Sequence, residues 1–177
     1  YIYFLKKYRY YLDEYFDTIA YCLMPTHYHF LVRVKQRDVL DFKPDVQHLN
    51  TDVQHLQGVG HLDKTVGHLI SRAIQTLQSS YTKAINVRFK RHGSLFQAHY
   101  KAKHVQSDEY LITLSTYIHQ NPIRSKLTDK AENWIYSSYL DYLDIRKGTL
   151  PSKDIILSMI KKDDLMSFTE NHAVKID

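Results

Sequence analysis

Tyr21-Cys-Leu-Met-Pro-Thr-His-Tyr-His-Phe-Leu-Val-Arg-Val34 sets two apolar runs on either side of Pro25-Thr26, the pattern of two β-strands joined by a tight turn. In the second run His27 and His29 lie two residues apart, so a strand points both imidazoles to one face. Two imidazoles fixed side by side form part of a metal site that a ligand from elsewhere in the chain would complete. The same spacing also arises where two part-buried histidines are merely satisfied by hydrogen bonds. The pair alone does not choose between these readings.

Upstream, Ile2, Leu5, Tyr8, Leu12 and Tyr15 recur with the period of an amphipathic helix over residues 1–16. The strands are expected at about 17–24 and 27–35. Beyond them the chain repeats itself: Asp45-Val-Gln-His-Leu-Asn-Thr is followed by Asp52-Val-Gln-His-Leu-Gln-Gly, with Val-Gly-His-Leu echoes at 59–62 and 66–69. Val46, Leu49, Val53 and Leu56 have heptad spacing, but Gly58 and Gly60 interrupt it. His48, His55, His61 and His68 recur about two helical turns apart, too far for one ion. The segment at about 45–62 reads as a flexible or weakly helical insertion, with a dimer contact as the alternative.

Val66, Leu69, Ile70, Ala73, Leu77, Tyr81 and Ala84 mark a long helix over 66–85. A basic turn centred on Gly93 follows and leads into a strand reaching about Val105. Ser107 is placed to cap the next helix, whose positive end suits Asp108 and Glu109. That helix buries Leu111, Leu114 and Ile118 and is expected to stop at Asn121, because Pro122 disfavours helical geometry before it. A C-terminal helical stretch is expected from Ser152 to about Phe168.

The 177 residues allow one domain with a core of its own. No apolar run reaches the roughly 18 residues that span a membrane, and no signal peptide is visible. Cys22 is the single cysteine; it excludes an internal disulfide and suits the reducing cytoplasm. The net charge of +5 is unevenly placed. No acidic residue lies between Asp63 and Asp108, where Lys64, Arg72, Lys83, Arg88, Lys90, Arg91, Lys101 and Lys103 all fall. With fifteen tyrosines in the chain, such a basic stretch suits single-stranded or hairpin DNA: cations follow the phosphates and rings stack on bases. A solvated surface with its tyrosines in the core is the plainer reading.

Near the end of the third helix stands Ser115-Thr-Tyr-Ile-His-Gln-Asn-Pro-Ile-Arg124. Tyr117 and Asn121, four residues apart, share a helix face about 6 Å apart. A phenol beside an amide oxygen suggests a nucleophile next to a metal ligand. A phenol is a weak nucleophile at its ordinary pKa of about 10 and needs a nearby cation.

Taken together, His27-Tyr-His29 behind Ala20-Tyr-Cys-Leu-Met-Pro-Thr26, and Tyr117-Ile-His-Gln-Asn-Pro-Ile-Arg124 downstream, resemble the single-tyrosine HUH transposases, above all the REP-associated tyrosine transposases. The likeness continues through Arg91-His-Gly-Ser-Leu-Phe-Gln97 and Trp134-Ile-Tyr-Ser-Ser-Tyr139, and so spans most of residues 1–142. It implies an α+β, ferredoxin-like antiparallel sheet with helices packed on one side, the HUH nuclease fold. It implies that His27, His29 and Asn121 bind a divalent metal, Mg²⁺ or Mn²⁺, and that Tyr117 is the nucleophile. The activity it implies is cleavage of single-stranded DNA through a 5′-phosphotyrosine, followed by strand rejoining.

The resemblance places the transposase domain at 1–142, with the insertion inside it, and leaves 143–177 as a helical extension. It also implies a β-strand ahead of the first helix, which a sequence opening at Tyr1 in a helical pattern lacks. Arg88, Lys90, Arg91, Lys101 and Lys103 are the expected DNA-binding cations of a monomer or homodimer. Two other classes compete: a catalytically silent hairpin-binding protein or repressor, and a metal-stabilised interaction module without DNA affinity.

Overall fold

The computed structural model describes residues 1–36, 64–97 and 100–171. The chain is α+β and forms two compact units: one holds Tyr1, Phe16–Val34 and the chain from Val105 onward, the other Ile2–Tyr15 and the described part of Lys35–His104.

The first unit is built on a hairpin of β1 (Phe16–Leu23) and β2 (Tyr28–Val34), paired antiparallel with Cys22 opposite His29 and Leu23 opposite Tyr28. The Met24 N–H donates to the His27 carbonyl (2.9 Å), closing the turn around Pro25-Thr26. The register shifts between Thr18 and Ala20, where Ile19 is the additional residue of a bulge. The other edge of β1 is covered by the segment that follows Trp134. Leu23 donates its N–H to the Tyr136 carbonyl (3.0 Å), Ser138 donates to Tyr21 (2.9 Å), and the Trp134 indole donates to the Leu23 carbonyl (3.0 Å). Farther along, Ser152 donates to Thr18 (2.7 Å). Flanked on both edges, β1 is buried at every residue but Asp17, which is why it reads as an apolar run from Ile19 to Leu23.

Helix α3 spans Asp108–Arg124 and starts as expected: Ser107 Oγ accepts from the Tyr110 N–H (3.2 Å), and Asp108 and Glu109 occupy the positive first turn. It lays Ile118 against Ile19, Ala20, Cys22, Met24 and Leu31. The core is completed by Tyr142 of α4 (Tyr139–Tyr142), Ile156 of α5 (Asp154–Leu157) and Leu165 of α6 (Lys162–Asn171). Burying an Ile or Leu side chain contributes roughly 1.5–3 kcal/mol, so α5 and α6 carry a measurable share of this core. The Gln120 amide also holds α6, donating to the Phe168 and Thr169 carbonyls at 3.2 and 2.9 Å. A short 3₁₀ turn at Ala131–Asn133 precedes the Trp134 segment.

Several expectations change. α3 does not stop at Asn121 but runs through Pro122 to Arg124. Proline lacks the N–H that would reach Ile118, but the turn beyond it holds because Ser125 donates to Asn121 and Leu127 to Pro122, both at 2.9 Å. Residues 100–107 form no strand where one was expected to Val105. The C-terminal stretch is two helices, α5 and α6, rather than one. The repeats at 45–62, with His48, His55 and His61, lie outside the described residues; His68 is exposed on a helix of the second unit.

That unit pairs α1 (Ile2–Leu12) with α2 (Lys64–Phe89), which is longer than the expected 66–85. The Phe4 ring meets Tyr81 edge-on (5.1 Å between centroids), and Lys7 Nζ donates to Ser80 Oγ (2.6 Å). Among the described residues no helix is long and apolar enough to cross a membrane.

Candidate functional site

The hairpin turn presents His27, whose Nδ1 lies 2.9 Å from the Thr26 hydroxyl. With Nδ1–H donating to Thr26 Oγ1, the lone pair is left on Nε2, the tautomer a metal ligand needs. The His29 ring stands edge-on to His27, with centroids 5.0 Å apart and planes at 89°. His29 Nε2 is buried and has no hydrogen-bond partner among the described residues. An orphaned buried polar atom costs about 1–3 kcal/mol; His119 Nδ1, in the core, is another such atom, so the orphan on His29 points to a ligand only together with the neighbouring His27 and Tyr117. Burial, reinforced by the neighbouring His27, pushes the His29 pKa down to about 4, which keeps this imidazole neutral at physiological pH.

Helix α3 brings Tyr117 to the same place. Its ring centroid is 6.2 Å from that of His29, with the planes at 79°. The Arg124 guanidinium lies 5.0 Å from the centre of the Tyr117 ring, within cation–π range. One turn beyond Tyr117, Asn121 is buried and donates Nδ2–H to the Tyr117 carbonyl at 3.0 Å. This bond fixes the amide and leaves Oδ1 as the acceptor available to a cation.

Among the described residues no three His, Cys, Asp or Glu side chains cluster as a metal site. A cation here would rest on the two imidazoles, the Asn121 amide oxygen and ligands from outside the chain. The donor set fits a divalent ion that keeps open positions: a neutral buried imidazole with an unused nitrogen, a second imidazole beside it, and an amide.

The structure therefore brings together His27, His29 and Tyr117 and puts Asn121 one turn from the phenol. Arg88, Lys90, Arg91, Lys101 and Lys103 belong to the second unit and are all exposed. Sequence reasoning passed over two residues. Arg124 stands seven after Tyr117, two turns along the same helix face, and that spacing was the available signal. Thr26 orients His27 and could be suspected only from its adjacency.

His119, two residues from Tyr117, serves the core. It is fully buried between the Tyr139 and Tyr142 rings, its Nε2 is 2.9 Å from Ser138 Oγ, and burial pushes its pKa down to about 3. The chain matches no protein-family model, no curated protein and no solved structure.

Proposed function

We propose that the chain is a metal-dependent single-stranded DNA endonuclease and strand transferase, a transposase of the REP-associated single-tyrosine HUH kind that acts on hairpin-forming DNA. In this reading the β1–β2 hairpin and α3 are the centre of a ferredoxin-like HUH nuclease fold. One observation carries it: a phenol, Tyr117, stands beside His29, whose buried Nε2 has no partner among the described residues.

Tyr117 Oη attacks the scissile phosphorus; the new P–Oη bond forms as the P–O3′ bond breaks. The phenolic proton passes to solvent, and the departing 3′ oxygen takes up a proton to become the free hydroxyl. The ester energy is kept in the 5′-phosphotyrosine, so a 3′-hydroxyl reverses the step without ATP. Arg124, over the phenol ring, offsets the negative charge that develops on Oη and on the phosphoryl oxygens. His27, His29 and Asn121 would hold the cation. Mg²⁺ or Mn²⁺, when bound, supplies Lewis-acid polarisation of the phosphate. Arg88, Lys90, Arg91, Lys101 and Lys103 supply phosphate contacts, and affinity then falls steeply with salt through counterion release.

The test is incubation of end-labelled hairpin oligonucleotides with Mg²⁺ or Mn²⁺, followed by denaturing electrophoresis. The expected result is a covalent adduct with the wild type and none with Tyr117→Phe, which still binds the DNA. Hairpin binding without an adduct from the wild type would leave the silent DNA-binding protein as the correct reading.

A further inference from the structure

The second unit holds an open groove of about 980 Å³, lined by the latter half of α2 and the turn that follows it. Its chemistry is one-sided. Lys83, Lys90 and Arg91 line it alongside uncharged amides and hydroxyls such as Gln78 and Ser79, and among the described residues no carboxylate lines it. Phe96 contributes an aromatic wall, its ring held by Phe4 and Tyr81 at 6.2 and 6.1 Å. Cations without counter-charges select an anion, amides select a partner rich in donors and acceptors, and a ring selects a flat one.

The groove is held in shape by Asn86. Its side-chain Nδ2–H donates to the Gly93 carbonyl (2.8 Å), while its backbone carbonyl accepts the Arg91 N–H (3.0 Å). Lys90 and Gly93 take positive φ values of 48° and 88° to make the turn, and a Cβ at Gly93 would be strained by that conformation. Next to Lys90, Phe89 is 63% exposed with the Arg88 guanidinium 5.8 Å from its ring centre, an apolar surface turned to solvent beside the basic turn. An exposed aromatic carrying a cation is a stacking platform for a base.

We propose that this groove is a binding site for one unpaired nucleotide of a nucleic-acid strand. The base enters along Phe96 and the amides, and the flanking phosphates rest on Lys83, Lys90 and Arg91. The site assigns a base-binding role to residues for which the proposed function requires only phosphate contacts, and it rests on that function only in the choice of DNA as the strand. RNA offers the same chemistry, so both strands enter the test.

The experiment measures fluorescence-anisotropy binding of a mixed-sequence single-stranded DNA, the same sequence as RNA, and the blunt DNA duplex. It uses the wild type, Ser79→Trp, which narrows the groove without changing charge, and Lys90→Gln. Ser79 is exposed on α2, so the fold tolerates the larger side chain. Ser79→Trp should weaken single-strand binding at least about tenfold, the scale of one lost base-stacking contact, and leave duplex binding and the salt slope unchanged. Lys90→Gln should weaken all strands and lower the salt slope by about one. A photo-crosslink from 4-thiothymidine in the single strand should map to peptide 75–97 and disappear in Ser79→Trp. Unchanged single-strand affinity in Ser79→Trp, or a crosslink outside this peptide, overturns the proposal. Preferential loss of RNA over DNA binding makes RNA the ligand of the groove. Adduct formation by Tyr117 is scored separately, so loss of nicking with the groove intact counts against the active site alone.

Discussion

At the scale of single residues, the site depends on how little of its polar chemistry is consumed by the fold. Among the described residues His29 keeps a nitrogen without a partner, and His27 uses one ring nitrogen on Thr26 and leaves the other. Tyr28, between them, points to the other face of the strand, where its ring meets Phe30 at 5.7 Å; this removes it as a rival to Tyr117. Asn121 is the residue whose role is least determined by its own bonds, because a buried amide bonded back to the preceding turn of its own helix could be purely structural. Asn121→Ala distinguishes the two. It loses the bond to the Tyr117 carbonyl, a deficit of about 1 kcal/mol in stability. If the amide oxygen is also a ligand, Mn²⁺ affinity measured by calorimetry falls at least about tenfold while the melting transition moves by only a few degrees. Unchanged Mn²⁺ affinity would remove Asn121 from the metal site.

At the scale of elements, the parts legible in the sequence were those with a strong local signal. The β1–β2 hairpin was marked by apolar runs around Pro25-Thr26, and the start of α3 by Ser107, Asp108 and Glu109. Tyr117 and Asn121 could be set on one face from spacing alone. The ends of elements were less legible, because tertiary bonds decide them: α3 passes Pro122 since Ser125 and Leu127 satisfy the last carbonyls. The missing strand at 100–105 had an alternating look but finds no partner among the described residues. No pattern announced the clasp behind α4. There Asp141, 1% exposed, accepts from Arg146 through both carboxylate oxygens (2.8 and 2.6 Å) and from the Gly148 N–H (2.9 Å). Arg146 also donates to the Tyr21 hydroxyl and to the Ser137 and Ile135 carbonyls, tying the loop to the edge segment of β1. Arg146→Met therefore leaves a buried carboxylate with half its partners and should cost about 3 kcal/mol in urea denaturation. Adding Asp141→Asn to that variant should recover part of the loss, since the stranded charge is gone. Equal stability of Arg146→Met and the wild type would show the pair to be ornamental.

At the scale of the molecule, the question is whether the chain after Gly148 is an appendage or part of the fold that holds the site. Ile156 and Leu165 are 0% and 1% exposed and share a core with Ile118, the residue next to Tyr117. Ser152 bonds to β1 and Thr169 accepts from Gln120 of α3, so both elements of the site lean on this segment. Losing two such side chains removes roughly 3–6 kcal/mol of burial, against a total stability of about 5–15 kcal/mol for a domain of this size. Cys22 reports the outcome. It is fully buried in β1, opposite His29, and burial pushes its thiol pKa up to about 12, so in the folded unit it does not react with a thiol reagent at pH 8. A chain ending at Leu150 should expose Cys22 and react at the rate of an unfolded peptide. A chain lacking only the repeats at 45–62 should keep it protected and keep nicking activity, since a glycine-broken repeat contributes no residue to the proposed site. Protection of Cys22 in the shortened chain would mean that β1, β2 and α3 hold together without α5 and α6; the two histidines and Tyr117 could then be positioned by the hairpin and one helix alone.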